Sequence, residues 1–188
     1  RCLSVPHYRA LLLRRTYPEL ENTHLENVPV DQANGLPCEY LKSERKVRFG
    51  NGAVLQFGHC EDESAVAKYL STEYDAIYFD ELVTFSEKQF LMIRSRARST
   101  KPGIRPVIKA GTNPGGPESH WVRRRFIWQD VTPKEHPRYR PEDYAYIPAT
   151  LDDNPHIDQV EYAANLESLP EELARAYRFG DWDIFPGQ

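Results

Sequence analysis

The sequence lacks any hydrophobic run long enough to cross a bilayer. None of its 188 residues sits in a stretch approaching the roughly 20 apolar residues that a spanning helix needs, so a membrane role is not expected. A signal-peptide succession of charge, apolar run and small residues is also missing, and the first residue is Arg1 rather than Met, which reads as a piece cut from something longer. Cysteine is scarce: Cys2, Cys38 and Cys60 are an odd number at wide spacing. That spacing excludes a disulfide framework and a paired CxxC zinc site, and points to a reducing, cytosolic compartment. His59 stands beside Cys60, but no second ligand pair lies at finger-like spacing, so an ordinary strand end is expected there. Excess positive charge is lacking too. The net charge of -4 and pI near 5.9 exclude a dedicated basic coat for nucleic acid. The average hides one asymmetry, because Arg94, Arg96, Arg98, Lys101, Arg105, Lys109, Arg123, Arg124 and Arg125 face a single acid, Glu118, between residues 94 and 125. Such a block suits phosphate, although a solvated surface looks the same.

What is present fits a globular chain with one core. The hydrophobic fraction is 40% and the charged fraction 28%, within the ordinary range. Residues 10 to 16, ALLLRRT, read as a buried strand that stops at charge, ended by Tyr17 and Pro18. RKVRFGNGAVLQFGH places apolar residues on either side of Asn51-Gly52, a pair suited to a tight two-residue hairpin turn. Glu63 to Tyr69 suits a short helix, and Asp75 to Asp80 an apolar strand that ends in carboxylates. Ser86 and Gln89 form a capping-box pattern for a helix running toward Arg98. Arg105 to Gly111 predicts another strand, leading into the turn Thr112-Asn113-Pro114-Gly115-Gly116. Tyr144 to Ala149 reads as a further strand, followed by turn chemistry at Asp152-Asp153-Asn154-Pro155. A helix is expected from near Asp158, with Val160, Ala163, Ala164 and Leu166 on one apolar face, and another over Glu171 to Arg178. Strands separated by helical segments favour an α/β sheet, parallel in its core, with an antiparallel hairpin added.

The feature with the most chemical content is Asp80-Glu81, at the end of the apolar strand. In a P-loop ATPase the strand delivers an Asp that holds Mg²⁺ through its water shell, and the following Glu polarises the water that attacks the γ-phosphate. Chance strand ends also produce this pattern. About 30 residues on, Thr112-Asn113 ends the next strand. In a parallel sheet ligands bind at the strand carboxyl ends, which places this polar pair to sense a γ-phosphate. Read alone, TNPGG is a loop with a strong turn.

Taken together, LLLRRT, the Asn-Gly hairpin, AIYFDEL, SRARS, AGTNPGGPESHWVRRRFI, YIPATLDDNP and FGDWDIFPG resemble the large terminase subunit of tailed phages and prophages, from about Ala10 to Gly187. The resemblance implies a P-loop NTPase fold of the RecA-like (ASCE) type, a mainly parallel sheet flanked by helices with the hairpin added. It implies a DNA-translocating ATPase that packages viral DNA, using Mg²⁺ with ATP. Its implied partners are double-stranded DNA, a portal protein, a small terminase subunit and other copies in a ring, in the cytoplasm of the bacterial host.

By the same resemblance, Asp80 is the Walker B metal carboxylate, Glu81 the catalytic carboxylate, and Thr112 and Asn113 the coupling motif. Arg14 and Arg15 end the strand that follows the P-loop helix; a surface ion pair is the plainer reading of them. Two departures stand out. The Gly-rich loop with its Lys and Ser/Thr is expected upstream of residue 10, yet nothing there reads GxxxxGK[ST], so the chain alone is not expected to bind ATP well. The family's arginine shortly before the DE strand, a finger acting on the neighbouring subunit, falls on Leu70. Either Lys68 takes a weaker version of that role, or Arg96 and Arg98 supply it. Arg123, Arg124 and Arg125 are candidates for contact with phosphate, DNA or a neighbour. Residues 1 to 179 read as a motor domain without its first strand and P-loop, and residues 180 to 188 as a junction toward a nuclease domain. Asp152 and Asp153 read as a turn rather than a metal site. A non-catalytic prophage remnant and another P-loop motor such as a helicase are the alternatives.

Overall fold

The computed structural model describes residues 1–156 and 158–183. The chain folds as two compact units, one from Arg1 to Gly111 and a second from Thr112 onward.

In the first unit, six strands among the described residues form one sheet: β1 (Arg9–Arg14), β2 (Cys38–Leu41), β3 (Lys46–Phe49), β4 (Val54–His59), β5 (Ala76–Asp80) and β6 (Val107–Gly111). Their order is β2-β3-β4-β1-β5-β6, with β4, β1, β5 and β6 parallel and β2-β3-β4 an antiparallel meander. The two central strands are apolar on both faces, as a covered parallel sheet requires: Leu11, Leu13, Ala76, Ile77 and Phe79 are all buried. After β1 comes a helical stretch made of α1 (Tyr17–Leu20), a π-helical turn (Glu21–Leu25) and α2 (Val28–Ala33). It contributes Leu20, Leu25 and Val28 to the core cluster that also holds Tyr8, Val47, Phe49, Phe57 and Ala76. Neither this stretch nor β2 is apparent from sequence periodicity. A third helix, α3 (Glu87–Arg94), brings Phe90 to 5.4 Å from the Phe79 ring. Its expected capping box is present, with the Gln89 amide donating to Ser86 Oγ at 3.2 Å and the Ser86 amide donating to Gln89 Oε1 at 2.9 Å.

The hairpin joins β3 to β4, but through a three-residue loop, Gly50 to Gly52, closed by the Phe49 amide donating to Ala53 O at 2.9 Å. Only Gly52 of the Asn-Gly pair takes a positive φ, of 81°. Asn51 is used through its side chain instead, its Nδ2 donating to Cys2 O and its Oδ1 accepting from the Ala53 amide. The short helix expected after Glu63 is a 3₁₀ segment, Ser64–Tyr69. The helix that begins at Glu87 stops at Arg94 rather than continuing to Arg98. Past it, the Tyr74 amide donates to Arg96 O and the Arg98 amide to Tyr74 O, so the SRARS backbone is spent on a parallel bridge.

In the second unit, α4 (Ser119–Val122) runs into a π-helical stretch, Arg123–Trp128, and a pair of helices follows, α5 (Gln159–Glu167) and α6 (Glu171–Phe179). Asp158 caps α5 through Oδ1, which accepts from the amides of Val160 and Glu161. Its expected apolar face is only partly used, since Leu166 is buried while Val160 is 81% exposed. The strand expected over 144–149 does not form. Tyr144 packs its ring against Phe126 and Tyr139 at 5.2 and 5.0 Å, Ile147 is exposed, and no ladder runs through the segment.

Two positions in the sheet make its energetics testable. Gly58 in β4 lies against the Tyr69 ring, whose Cε1 would be 2.8 Å from an added Cβ, while Tyr69 Oη donates to His59 O at 2.6 Å. Gly58→Ala should therefore cost about 1–3 kcal/mol, read as a lower denaturant midpoint at unchanged slope. At the amino end of β5, the nearly inaccessible Asp75 accepts from Lys101 Nζ at 2.7 Å and from the Arg9 amide at 2.8 Å. Burial alone would raise its pKa, but the hydrogen bonds from Lys101, Ser99 and the Arg9 amide outweigh burial and hold it below the ordinary value. A depressed carboxylate stabilises the fold above its unfolded pKa, about 3.9, and that contribution disappears as pH falls through the lower folded value. Lys101→Met should cost about 3 kcal/mol at pH 7, and the penalty should shrink in unfolding curves taken below about pH 4.

Candidate active site

The parallel register brings the carboxyl ends of β4, β1, β5 and β6 to one edge of the sheet. Arg14 is paired in register with His59, and Asp80 with Gly111. Asp80 is the last residue of β5, and its Oδ2 is the focus of the charge there. Arg14 Nη1 donates to it at 2.7 Å and His24 Nε2 lies 2.9 Å away. A carboxylate only accepts, so the His24 ring carries a proton on Nε2. The hydrogen bond from His24 is the largest influence on Asp80; together with the charge of Arg14 it outweighs partial burial and holds the carboxyl below its ordinary pKa.

Glu81 follows in a left-handed conformation, φ 56° and ψ 63°, which costs a non-glycine residue roughly 1–2 kcal/mol. The turn is held by its own carbonyl, which accepts from the Thr84 hydroxyl at 2.7 Å and the Thr84 amide at 2.9 Å. Strain of this kind gathers at functional sites. Two consecutive carboxylates thus leave one strand end, and both reach the same guanidinium. Arg14 stands between them, 2.7 Å from Asp80 and 3.9 Å from Glu81 Oε1.

The neighbouring arginine does something else. Arg15 Nη1 donates to Gln89 Oε1 at 2.7 Å and to Cys60 O at 3.2 Å, while Gln89 Nε2 donates to the same carbonyl, so Arg15 ties α3 to the end of β4. Burial pushes the Cys60 thiol up to about 11, which makes it inert as a nucleophile near neutral pH. No cluster of potential metal ligands appears among the described residues, at His59 and Cys60 or elsewhere.

Of the candidate fingers, Lys68 is exposed at the end of the 3₁₀ segment. Arg96 is half-buried and donates from Nη1 to Leu70 O at 2.8 Å, and Arg98 is exposed, with Nη1 3.6 Å from Glu73. Thr112 and Asn113 open the second unit directly after Gly111; there the Thr112 hydroxyl lies 3.4 Å from Asn113 O. The Arg123-Arg125 run is engaged within its own unit. Arg123 is 5% exposed, donates to Trp182 O at 2.7 Å and lies 4.0 Å over the Trp128 ring. Arg125 is 1% exposed and donates to Tyr144 Oη at 3.0 Å. Arg124 is bound by Asp130 and by both oxygens of Glu135, at 2.6 and 3.0 Å. Two of the three are thus spent on packing and the third on a bidentate ion pair. His24 was not singled out by its sequence context; it lies 56 residues from Asp80, and no local pattern marks it.

Residues 9–180 match the family model of the phage terminase large subunit. Similar solved structures include the large terminase of a thermophilic bacteriophage, which is 16% identical with a TM-score of 0.71 over 95% of this chain and 42% of that one. The same protein in complex with ADP gives 15% identity and a TM-score of 0.71, over 97% of this chain and 44% of that one. The large terminase ATPase domain of Thermus phage P74-26 is 12% identical with a TM-score of 0.51, over 93% of this chain and 76% of that domain. The chain spans less than half the length of the first of these terminases. No curated protein matches it. At these identities the likeness establishes the fold, the mixed and mostly parallel sheet of a terminase ATPase domain.

Proposed function

Because the chain belongs to the phage terminase large subunit family, we propose that it is the core of the ATP-hydrolysing motor that drives double-stranded DNA into procapsids. The observation that carries this reading is the Asp80-Glu81 pair leaving the end of β5, between β1 and β6. Ligands of open parallel sheets bind at this edge, and a γ-phosphate placed there would meet groups from several strand ends.

The roles follow from the chemistry of each group. Asp80 would hold Mg²⁺ through a water. The fit is sound, because the ion takes few protein carboxylates and keeps most of its waters, and because Oδ2 carries both donors while Oδ1 accepts no hydrogen bond from the described residues. The bound ion would neutralise charge on the β- and γ-phosphate oxygens. Glu81 would orient and polarise the attacking water from the left-handed turn that follows Asp80. Thr112 and Asn113, joined by the chain to the register partner of Asp80, would report the γ-phosphate state by hydrogen bonding. Lys68 is exposed, while Arg96 donates to Leu70 O and Arg98 to Ser95 O beside Glu73, so Lys68 is the finger candidate this reading favours.

Among the described residues β6 is paired on one side only. A further parallel strand on that edge would bring a Gly-rich phosphate loop beside Asp80, which is where the complete protein needs one. The span 1–179 is read as this motor domain, with a nuclease domain beyond it. Portal protein, small subunit and ring-forming copies are the partners proposed, in the bacterial cytoplasm.

The test is Mg²⁺-dependent ATP hydrolysis by the complete protein. Glu81→Gln keeps the shape and hydrogen-bonding capacity of the side chain but removes its basicity, so turnover should fall about 10²–10⁴-fold with nucleotide binding retained. Turnover within a few-fold of the parent would refute the assignment.

A further inference from the structure

Resting on the reading of Asp80 as the metal carboxylate, we propose that His24 is a positioning residue for it, acting with Arg14 to aim one carboxylate oxygen. Both donors converge on Oδ2, at 2.7 Å from Arg14 and 2.9 Å from His24. Oδ1 points toward the end of β6, lying 3.8 Å from where a Cβ on Gly111 would be. A carboxylate turns broadly about its last torsion, so donors on a single oxygen are what fix the direction of the other. The glycine at that register leaves Oδ1 uncovered on the side where the nucleotide is expected.

The two donors come from different elements. Arg14 ends β1, the strand beside β5, and its Nε is buried with no hydrogen-bond acceptor among the described residues, 4.0 Å from Glu19 Oε2. That geometry leaves Nη1 as the arm that reaches Asp80. His24 comes from the π-helical turn Glu21–Leu25, closed by the Glu26 amide donating to Glu21 O at 3.1 Å. Its flanks, Leu20 and Leu25, are buried in the core, so the wide turn is anchored on both sides while His24 projects to the strand end. Single π turns of this kind recur at functional sites.

The test measures Mn²⁺ affinity by electron paramagnetic resonance in the complete protein with ATPγS, alongside thermal midpoints. His24→Leu, which removes the donor, should weaken Mn²⁺ binding about 10–100-fold, as loss of a partner behind a metal ligand does. His24→Gln, whose amide can donate from a similar position, should recover most of that loss. If His24→Leu does not fold, His24→Asn, whose amide falls short of Asp80, takes its place under the same criteria. Mn²⁺ affinity unchanged within twofold, or a loss that the Gln variant does not recover, would overturn the proposal. Asp80→Asn separates this from the parent reading: if that substitution leaves Mn²⁺ binding intact, the metal assignment itself fails, whereas loss there with none at His24 removes only the positioning role.

Discussion

The parallel alignment of β4, β1, β5 and β6 is the constraint on which the remaining structure depends. Leu11, Leu13, Ile77 and Phe79 are buried on one face of adjacent strands and Ala10 and Ala76 on the other, with Leu13 aligned with Phe79. Moving one strand by a residue would exchange these side chains between faces and break the packing. Because the register is fixed by apolar packing, the polar residues just beyond each run arrive together without any attraction of their own. Arg14, His59, Asp80 and Gly111 share one edge of the sheet for this reason.

Charge then decides what that edge can do. Two adjacent carboxylates would repel, and Arg14 between Asp80 and Glu81 offsets the repulsion while leaving the Glu81 side chain about a third exposed. The opposite end of β5 shows what a purely structural ion pair looks like in this protein. Asp75 is sealed at 2% exposure by Lys101 and the Arg9 amide, whereas Asp80 keeps 30%. The contrast distinguishes a carboxylate consumed by the fold from one presented at its surface.

Much of this was legible because it is local. The apolar run ending in Asp80-Glu81, the Ser86 capping box, the strand before Thr112 and the helix starting near Asp158 depend on residues within a few positions of one another, and each is present. Errors arose where a distant partner claimed a group. The SRARS backbone left its helix for Tyr74, Tyr144 gave its ring to Phe126 and Tyr139 instead of a strand, and Asn51 spent its side chain on Cys2. The basic run at Arg123 to Arg125 looked like a surface because charge in sequence does not report burial; aromatic rings and carbonyls inside the second unit take up Arg123 and Arg125. His24 escaped notice for the same reason, its role being visible only once 56 residues of chain are folded back.

The most direct measurement is a structure of the complete protein with ATPγS and Mg²⁺. The expected result is metal density water-bridged to Asp80, with the γ-phosphate at the carboxyl ends of β1, β5 and β6 and the Glu81 carboxylate facing the position of the attacking water. Nucleotide and metal bound away from this edge, with no metal or water bridge at Asp80 Oδ1, would contradict the assignment of the Asp80-Glu81 pair as the hydrolytic centre.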